Sequence, residues 1–281
     1  MPLPSGDSIK PGIATPVELP EMGERGTSSV DFVVEGKSSR EGAAQVLIEH
    51  LFANMDTEIP RVSYAVSYHL AEEYIGGDIV DVYHFDNDCV AFAIADISGK
   101  GARAAVHAAL IKYGLRAYSS MGLTPEAVLR AMDRLYLENS NFEKVESFAT
   151  VFFSVIDPAR RLLTFASGGH EQALVVSPAG QVTVLEPTAP LIGVFDDQHH
   201  LFRQTTVPLD PGALLVATTD GVTEARTPGG EFFGMERFVA AVEAARGDSP
   251  KAIIERVVTD VETFTDKHLR DDIAILAVRF E

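Results

Sequence analysis

The stretch Asp96-Ile97-Ser98-Gly99-Lys100-Gly101 directly follows the apolar run Cys89-Val90-Ala91-Phe92-Ala93-Ile94-Ala95. A run of β-branched, aromatic and small apolar residues predicts a buried strand, and the glycines after it end that strand. The pattern therefore puts the Asp96 carboxylate at the end of a core strand. A carboxylate there, beside glycines that leave room for water, suits Mg²⁺ or Mn²⁺, because these ions prefer oxygen ligands and keep much of their hydration shell.

Three further aspartates stand at the ends of apolar runs. They are Asp78 in Ile75-Gly76-Gly77-Asp78, Asp220 in Ala217-Thr218-Thr219-Asp220-Gly221, and Asp271 in Arg270-Asp271-Asp272-Ile273. Taken singly, an aspartate at such a place is more often a turn former or a helix cap than a metal ligand. A fold that gathers all four would hold two hard divalent cations. Such a site indicates hydrolysis of phosphate esters.

In order and spacing these segments resemble the PPM family of metal-dependent serine/threonine protein phosphatases, in its bacterial SpoIIE/RsbU branch. The resemblance runs from about Arg61 to the C-terminus. Six pieces in register carry it: Gly76-Gly77-Asp78-Ile79-Val80-Asp81, Asp96-Ile97-Ser98-Gly99-Lys100-Gly101 followed by Ala104-Ala105, Ala166-Ser167-Gly168-Gly169-His170, Thr219-Asp220-Gly221-Val222-Thr223-Glu224-Ala225, Gly230-Glu231-Phe232-Phe233-Gly234, and Arg270-Asp271-Asp272-Ile273.

The resemblance assigns a role to each candidate site residue. Asp96 is expected to bridge two Mn²⁺ or Mg²⁺ ions, Asp220 and Asp271 to complete one ion, and Asp78 with the main-chain carbonyl of Ile97 to hold the other. The neighbouring Asp272 is expected to support the site, and whether it contacts a metal stays open. The catalytic residues are therefore expected to be the four aspartates, Asp78, Asp96, Asp220 and Asp271. The expected nucleophile is a metal-bound water.

Two glycine motifs have alternative interpretations that the surrounding residues disfavour. The segment Ser98-Gly99-Lys100-Gly101 lacks the earlier glycine and the Ser or Thr of a nucleotide-binding P-loop. Lys100 is left as either an aid to substrate phosphate or a solvated lysine. Gly76-Gly77-Asp78 is shared with diguanylate cyclases, but Ile79 and Val80 stand where those enzymes have Glu and Phe.

Other polar residues near the motifs are expected to be structural. His170 is expected to make hydrogen bonds rather than bind metal, and Asp81 and Glu224 to brace the loops beside them. The single cysteine, Cys89, excludes an intrachain disulfide and lies in an apolar run, which predicts a small buried side chain and a reducing cytoplasm.

Composition excludes several classes of protein. The chain has 281 residues, 46% of them hydrophobic, so it is long enough to bury a sizeable core. Its formal net charge of −18 argues against general binding to nucleic acid or to an anionic membrane, since both need clustered Lys and Arg. No apolar stretch reaches the roughly 18 to 20 residues that span a bilayer. We expect a protein of the cytoplasm.

Three segments are predicted along the chain. Residues 1–29 are rich in Pro and Gly and predict a flexible leader. Residues 30–60 predict a short strand over 30–34 and a helix over Ala43 to Met55, as a linker packed on or preceding the catalytic domain. Residues 61–281 form the predicted phosphatase domain.

Short turns between the β-type runs predict mainly antiparallel sheets, with two helix pairs segregated from them. This pattern favours an α+β sandwich, and the resemblance specifies an αββα order of layers. The predicted strands are 62–70, 79–85, 90–97, 148–156, 162–166, 173–176, 181–185, 202–207, 214–218 and 273–280, and the predicted helices are 102–119, 125–139, 235–246 and 250–264.

The sequence favours a Mg²⁺- or Mn²⁺-dependent phosphatase of phosphoserine and phosphothreonine in proteins. The resemblance implies a phosphorylated STAS-domain anti-sigma-factor antagonist as substrate, within bacterial stress signalling by partner switching. Two alternatives stay open, a pseudophosphatase that acts by binding a partner and a hydrolase of small phosphate esters. An upstream regulatory domain or activator protein is expected to act on the helices from Ala102 to Asn139, and a homodimer is left open.

Overall fold

The computed structural model describes residues 29–33, 55–56, 59–69, 77–85, 89–143, 147–194 and 199–281. The strands in these ranges are β1 (Ser29–Val33), β2 (Val62–His69), β3 (Ile79–Phe85), β4 (Cys89–Ile97), β5 (Ala149–Asp157), β6 (Leu162–Gly168), β7 (Ala173–Val176), β8 (Val182–Leu185), β9 (Thr205–Pro208), β10 (Leu214–Thr218) and β11 (Ile273–Phe280). The helices are α1 (Ala102–Ser120), α2 (Pro125–Glu143), α3 (Asp220–Thr223), α4 (Gly234–Ala244) and α5 (Pro250–Phe264), and a 3₁₀ turn covers His199–Leu201.

The strands form two sheets. The first has the order β1-β2-β11-β10-β7-β8, and the second has the order β3-β4-β5-β6-β9. Neighbouring strands are antiparallel except for β1, which pairs in parallel with β2. The prediction of mainly antiparallel sheets is therefore confirmed for the described strands.

Alternation along each strand separates three apolar layers. On β4, Val90, Phe92 and Ile94 point between the two sheets, whereas the alanines that alternate with them pack with α1 and α2. On β11, Leu276 and Val278 likewise face the second sheet, and the alternate residues pack with α4 and α5. The chain thus has the predicted αββα order, with a core between the sheets and a core beneath each helix pair.

Most element boundaries agree with the sequence prediction, and β9 is the main error. The predicted strand 202–207 begins only at Thr205, because the preceding segment turns Phe202 into the core beneath α1 and α2. The short helix α3, which starts at Asp220, was not predicted. The predicted helix over Ala43 to Met55 and the leader lie outside the described residues, apart from the non-helical Met55 and the first residue of β1.

No helix in the described part of the chain is both long enough and apolar enough to cross a membrane.

Candidate active site

Two of the predicted aspartates come from the β3–β4 hairpin. Its register pairs Ile79 with Ala95, so the next residues beyond that pair, Asp78 and Asp96, lie opposite each other. Asp96 stands two residues after Ile94 on β4, so its side chain lies on the same face as that of Ile94, which faces the space between the sheets. Both carboxylates therefore stand partly buried at one end of this space.

The other aspartates come from the facing sheet. The β10–β11 register pairs Thr218 with Ile275, so the end of β10 and the start of β11 share one edge. Asp220 begins α3 directly after β10 and is partly buried. At the start of β11, the side chain of Asp271 is 63% exposed, whereas Asp272 is buried at 7%.

Two glycines allow the close backbone contacts that hold this edge together. A Cβ atom at Gly77 would overlap the main-chain carbonyl oxygen of Ile97, and one at Gly221 would overlap the carbonyl oxygen of Asp272. The first contact sets the backbone beside Asp78 against the Ile97 carbonyl. The second packs the first turn of α3 against the start of β11. Any larger side chain at either position would force these segments apart.

Thr219 joins the two sheets at the same place. Its hydroxyl donates to Asp78 Oδ2 at 2.8 Å and accepts from the amide of Ala274 at 3.0 Å. Because Thr219 is fully buried, neither bond is weakened by exchange with water. The hydroxyl therefore fixes the Asp78 carboxylate relative to β10 and β11.

The carboxyl groups raise one another's pKa. Burial and then the nearby Asp96 charge raise the pKa of Asp78 well above its usual range, and the hydrogen bond from Thr219 only partly offsets this. The pKa of Asp96 is raised by burial, against a hydrogen bond with Asp78, and further by the charge of Asp271. Burial and then the charges of Asp96 and Asp271 raise the pKa of Asp220 to about 6.

This arrangement fits a cation. All the donors are oxygens, and several carboxylates share one partly buried edge, where protons or a cation would reduce their repulsion. Within the described ranges, however, no three Asp, Glu, His or Cys side chains already converge on one point as they do around a bound ion. Asp271 instead lies 4.0 Å from the ammonium group of Lys100. The structure thus brings the predicted aspartates to one edge, and their individual ligand roles stay predictions.

Asp81 lies on the opposite face of β3. It is 1% exposed and accepts hydrogen bonds of 2.6 Å from both Nε and Nη2 of Arg116, and Lys112 Nζ lies 2.8 Å from it. Lys112 is fully buried and the Arg116 side chain is 27% exposed, so the three side chains form an ionic network between α1 and β3 with a buried Lys112–Asp81 pair at its centre. Asp81 thus braces a helix against the sheet rather than the loop beside it.

His170 lies between the sheets near the candidate site. Its Nδ1 is 2.7 Å from the hydroxyl of Thr150, the residue that pairs with Asp96 across the β4–β5 ladder. Burial lowers the pKa of His170 to about 3, against a backbone contact with Thr218, so the ring is neutral at pH 7. Cys89, by contrast, is only partly buried and begins β4, at the end of the strand opposite Asp96.

Sequence reasoning missed three residues that the structure places at or beside the site, Thr219, Thr150 and Arg226, and it missed the buried Lys112 of α1. Thr219 stands inside a quoted motif, directly before Asp220, so its position was a usable signal. Lys112 and Arg116 are four residues apart on α1, a spacing that places two cations on one helix face. No local pattern identifies Thr150.

Solved structures define the class of this fold. The PP2C domain of SiaA from Pseudomonas aeruginosa superposes with a TM-score of 0.67 at 23% identity, over 78% of this chain and 86% of that domain. RsbX in complex with magnesium superposes with a TM-score of 0.59 at 19% identity, over 80% of this chain and 98% of that one. The chain therefore has a PP2C-type fold.

The sequence comparison then identifies the family. Residues 86–281 match the family described as Stage II sporulation protein E (SpoIIE), and the chain belongs to that family. It is 28% identical over 202 residues to the phosphoserine phosphatase RsbU of Bacillus subtilis, covering 71% of this chain. The match spans 58% of the length of RsbU, so this chain corresponds to only part of the curated relatives that it matches.

Proposed function

We propose that this chain is a metal-dependent phosphatase that hydrolyses phosphoserine and phosphothreonine in proteins. The observation that carries the proposal is the meeting of Asp78 and Asp96 from one sheet with Asp220 and Asp271 from the other, at one end of the space between them. Membership of the SpoIIE family and the similarity to the phosphoserine phosphatase RsbU support it.

The proposed site holds two divalent cations, Mg²⁺ or Mn²⁺. When bound, such ions supply an activated water and offset charge on the phosphoryl oxygens. Asp96 is proposed to bridge them, Asp220 and Asp271 to complete one, and Asp78 with the Ile97 carbonyl to hold the other. Gly77 supports the last assignment, since its missing side chain lets the backbone beside Asp78 reach the Ile97 carbonyl. The magnesium in the RsbX structure supports the choice of metal.

We propose direct attack by water, and the positions of Cys89 and His170 support this. Cys89 begins β4 and lies far from Asp96, and the neutral ring of His170 is buried against Thr150. Neither side chain is placed to form a covalent phosphoryl intermediate. The aspartates would hold the cations, and these would place the phosphate and the attacking water in line for hydrolysis in one displacement.

The proposed substrate is a phosphorylated STAS-domain antagonist of an anti-sigma factor, in a cytoplasmic stress-signalling pathway. We also propose an upstream regulatory domain or activator protein that acts through α1 and α2. The similarity to RsbU, together with a related solved structure that joins RsbU and RsbW domains, supports such a pathway.

Asp96→Asn tests the proposal. The variant should lose Mn²⁺-dependent release of phosphate from a phosphoserine peptide by more than about a hundredfold, because the central ligand loses its charge. Its circular dichroism spectrum should match that of the wild type, since Asp96 lies at a strand end. Cys89→Ser should keep wild-type turnover without any trapped phosphoenzyme. Near wild-type Mn²⁺-dependent turnover in Asp96→Asn would refute the assignment.

A further inference from the structure

A cleft of about 200 Å³ lies directly beside the aspartate edge. Asp220 and Asp271 form part of its wall, so the cleft is continuous with the place proposed for the phosphate. Its lining also includes two arginines, Arg226 and Arg270, and the exposed Glu224. Nothing in the proposed reaction uses these arginines.

Arg226 is held in position by a short hairpin. Arg226 and Phe232 form an antiparallel bridge, and the amide of Phe233 donates to the carbonyl of Ala225 at 2.8 Å. The guanidinium carbon of Arg226 lies 4.2 Å from the centroid of the Phe232 ring. Arg237 anchors the hairpin by donating to the carbonyls of Phe232 and Phe233, both at 3.0 Å. The guanidinium is therefore oriented before any ligand arrives.

The charge of Arg226 is only loosely paired. Its Nη2 lies 3.5 Å from Glu224 Oε2, and the two side chains are 40% and 58% exposed. An exposed ion pair at this distance contributes at most about 1 kcal/mol, so an incoming anion can replace it. A guanidinium stacked on an aromatic ring keeps its planar fork for two parallel hydrogen bonds to a carboxylate.

The position of the cleft selects the ligand. Successive residues of an extended peptide are about 3.3 to 3.6 Å apart, so a peptide whose phosphate sits at Asp220 and Asp271 places a flanking side chain in the adjoining cleft. The chain carries a formal charge of −18, so its average field repels an acidic polypeptide. Arg226 and Arg270 give such a polypeptide a local point of attraction once the cations of the proposed site offset the charges of Asp220 and Asp271 in the same lining.

We propose that this cleft binds an acidic side chain one or two residues from the phosphorylated residue of the substrate, and that Arg226 determines this preference, with Arg270 on the same wall. This inference rests on the proposed function, because it takes the aspartate edge as the place of the phosphate. It adds a chemical class of substrate, namely phosphoproteins with an acidic residue beside the phosphoserine or phosphothreonine.

Two matched phosphoserine peptides and three variants test the inference. One peptide has Glu at both the first and the second position before the phosphoserine and at both positions after it. In the other peptide, Gln replaces every Glu. Arg226→Gln should raise KM for the Glu peptide by about fivefold, the upper range for an exposed ion pair, and leave kcat unchanged. Arg226→Lys should lie between the wild type and Arg226→Gln. Arg256→Gln, in the exposed Arg256–Asp260 pair of α5, is the matched control and should leave KM unchanged for both peptides.

The alternative to a specificity role is a purely structural one. In that case Arg226→Gln would change kcat and KM equally for both peptides and for p-nitrophenyl phosphate, and the inference would fall. It would also fall if wild-type protein showed the same KM for both peptides, or if a second phosphoserine in place of Glu were the only group that Arg226 recognised.

Binding without turnover separates this inference from the proposed function. Fluorescence anisotropy of the labelled Glu peptide measures its binding in the cleft, even for a protein that releases no phosphate. Binding that depends on Arg226, without any metal-dependent hydrolysis, would refute the proposed function and support the inference that the cleft binds an acidic side chain. Hydrolysis of both peptides with equal binding would do the reverse.

Discussion

Replacing Thr219 by Val removes a single hydroxyl that connects three strands at the candidate site. That hydroxyl donates to Asp78 Oδ2 at 2.8 Å and accepts from the amide of Ala274 at 3.0 Å, and the residue is fully buried. Val has nearly the volume of Thr, so the change leaves the buried Ala274 amide and the partly buried Asp78 carboxylate without their partner rather than a cavity. We expect the free energy of unfolding to fall by about 2 to 3 kcal/mol, a typical cost of leaving such groups unsatisfied.

The same substitution should weaken metal binding. Without the hydrogen bond from Thr219, the pKa of Asp78 rises further above its usual range, and its carboxylate loses the group that orients it. Loss of a partner behind a metal ligand typically lowers affinity by about 10- to 100-fold. Because the loss includes a protonation component, we expect it to be larger at pH 6 than at pH 8.

Urea unfolding followed by circular dichroism measures the stability, since the chain has no tryptophan to report by fluorescence. Calorimetry of Mn²⁺ binding measures the affinity. Thr219→Ser keeps the hydroxyl and loses only a methyl group, so it should stay within about 1.5 kcal/mol of the wild type and bind Mn²⁺ normally. If Thr219→Val has the same urea midpoint and the same Mn²⁺ affinity as Thr219→Ser, the bridging role of this hydroxyl is refuted.

Two further perturbations address charge. Asp81→Asn removes the carboxylate that lies 2.8 Å from the fully buried Lys112, so the free energy of unfolding should fall by about 3 to 5 kcal/mol. Asp260→Asn, in an exposed pair on α5, is the control and should change this free energy by less than about 1 kcal/mol. Equal midpoints of urea unfolding for the two variants would contradict this prediction. The pKa of Asp220 is raised from 3.8 to about 6, so between these values the folded protein binds more protons than the unfolded chain, and metal-free stability should fall as pH rises through that window. Mn²⁺ must displace those protons, so the rise in Tm that it causes should be larger at pH 7 than at pH 5, and equal rises at the two pH values would count against carboxylate ligands.

The sequence predicted those parts of the fold that local pattern determines. The boundaries of β10, β11 and α5 match the prediction because each element has a clear apolar run with turn or capping residues at its ends, such as Ser249 and Pro250 at the start of α5. The predicted start of the β9 strand was wrong, because the apolar residue Phe202 belongs to the core beneath α1 and α2 rather than to a strand. Here tertiary burial, not strand pairing, explains the hydrophobic residue.

The candidate site divides in the same way. Its aspartates were identifiable because each lies at, or within two residues of, the end of a core strand. The contacts that orient them join distant parts of the chain, as with Thr219 and Asp78, which are 141 residues apart. A single sequence contains no local signal for such a pairing. It also could not show that Glu224 pairs with Arg226 at the wall of a cleft.

The network around Asp81 bears on the proposed control of the site through α1. The turn after Asp96 and Ile97 leads into α1, and Asp81, three residues after Asp78, is bound by Lys112 and Arg116 of the same helix. A movement of α1 would therefore pull on both strands of the β3–β4 hairpin, and so on both of its aspartates. Because a buried ion pair is costly to break, α1 is expected to move together with β3 rather than slide past it. A regulatory partner that displaced α1 would thus change the separation of this hairpin from Asp220 and Asp271 in the other sheet, while the distance between Asp78 and Asp96 would be preserved.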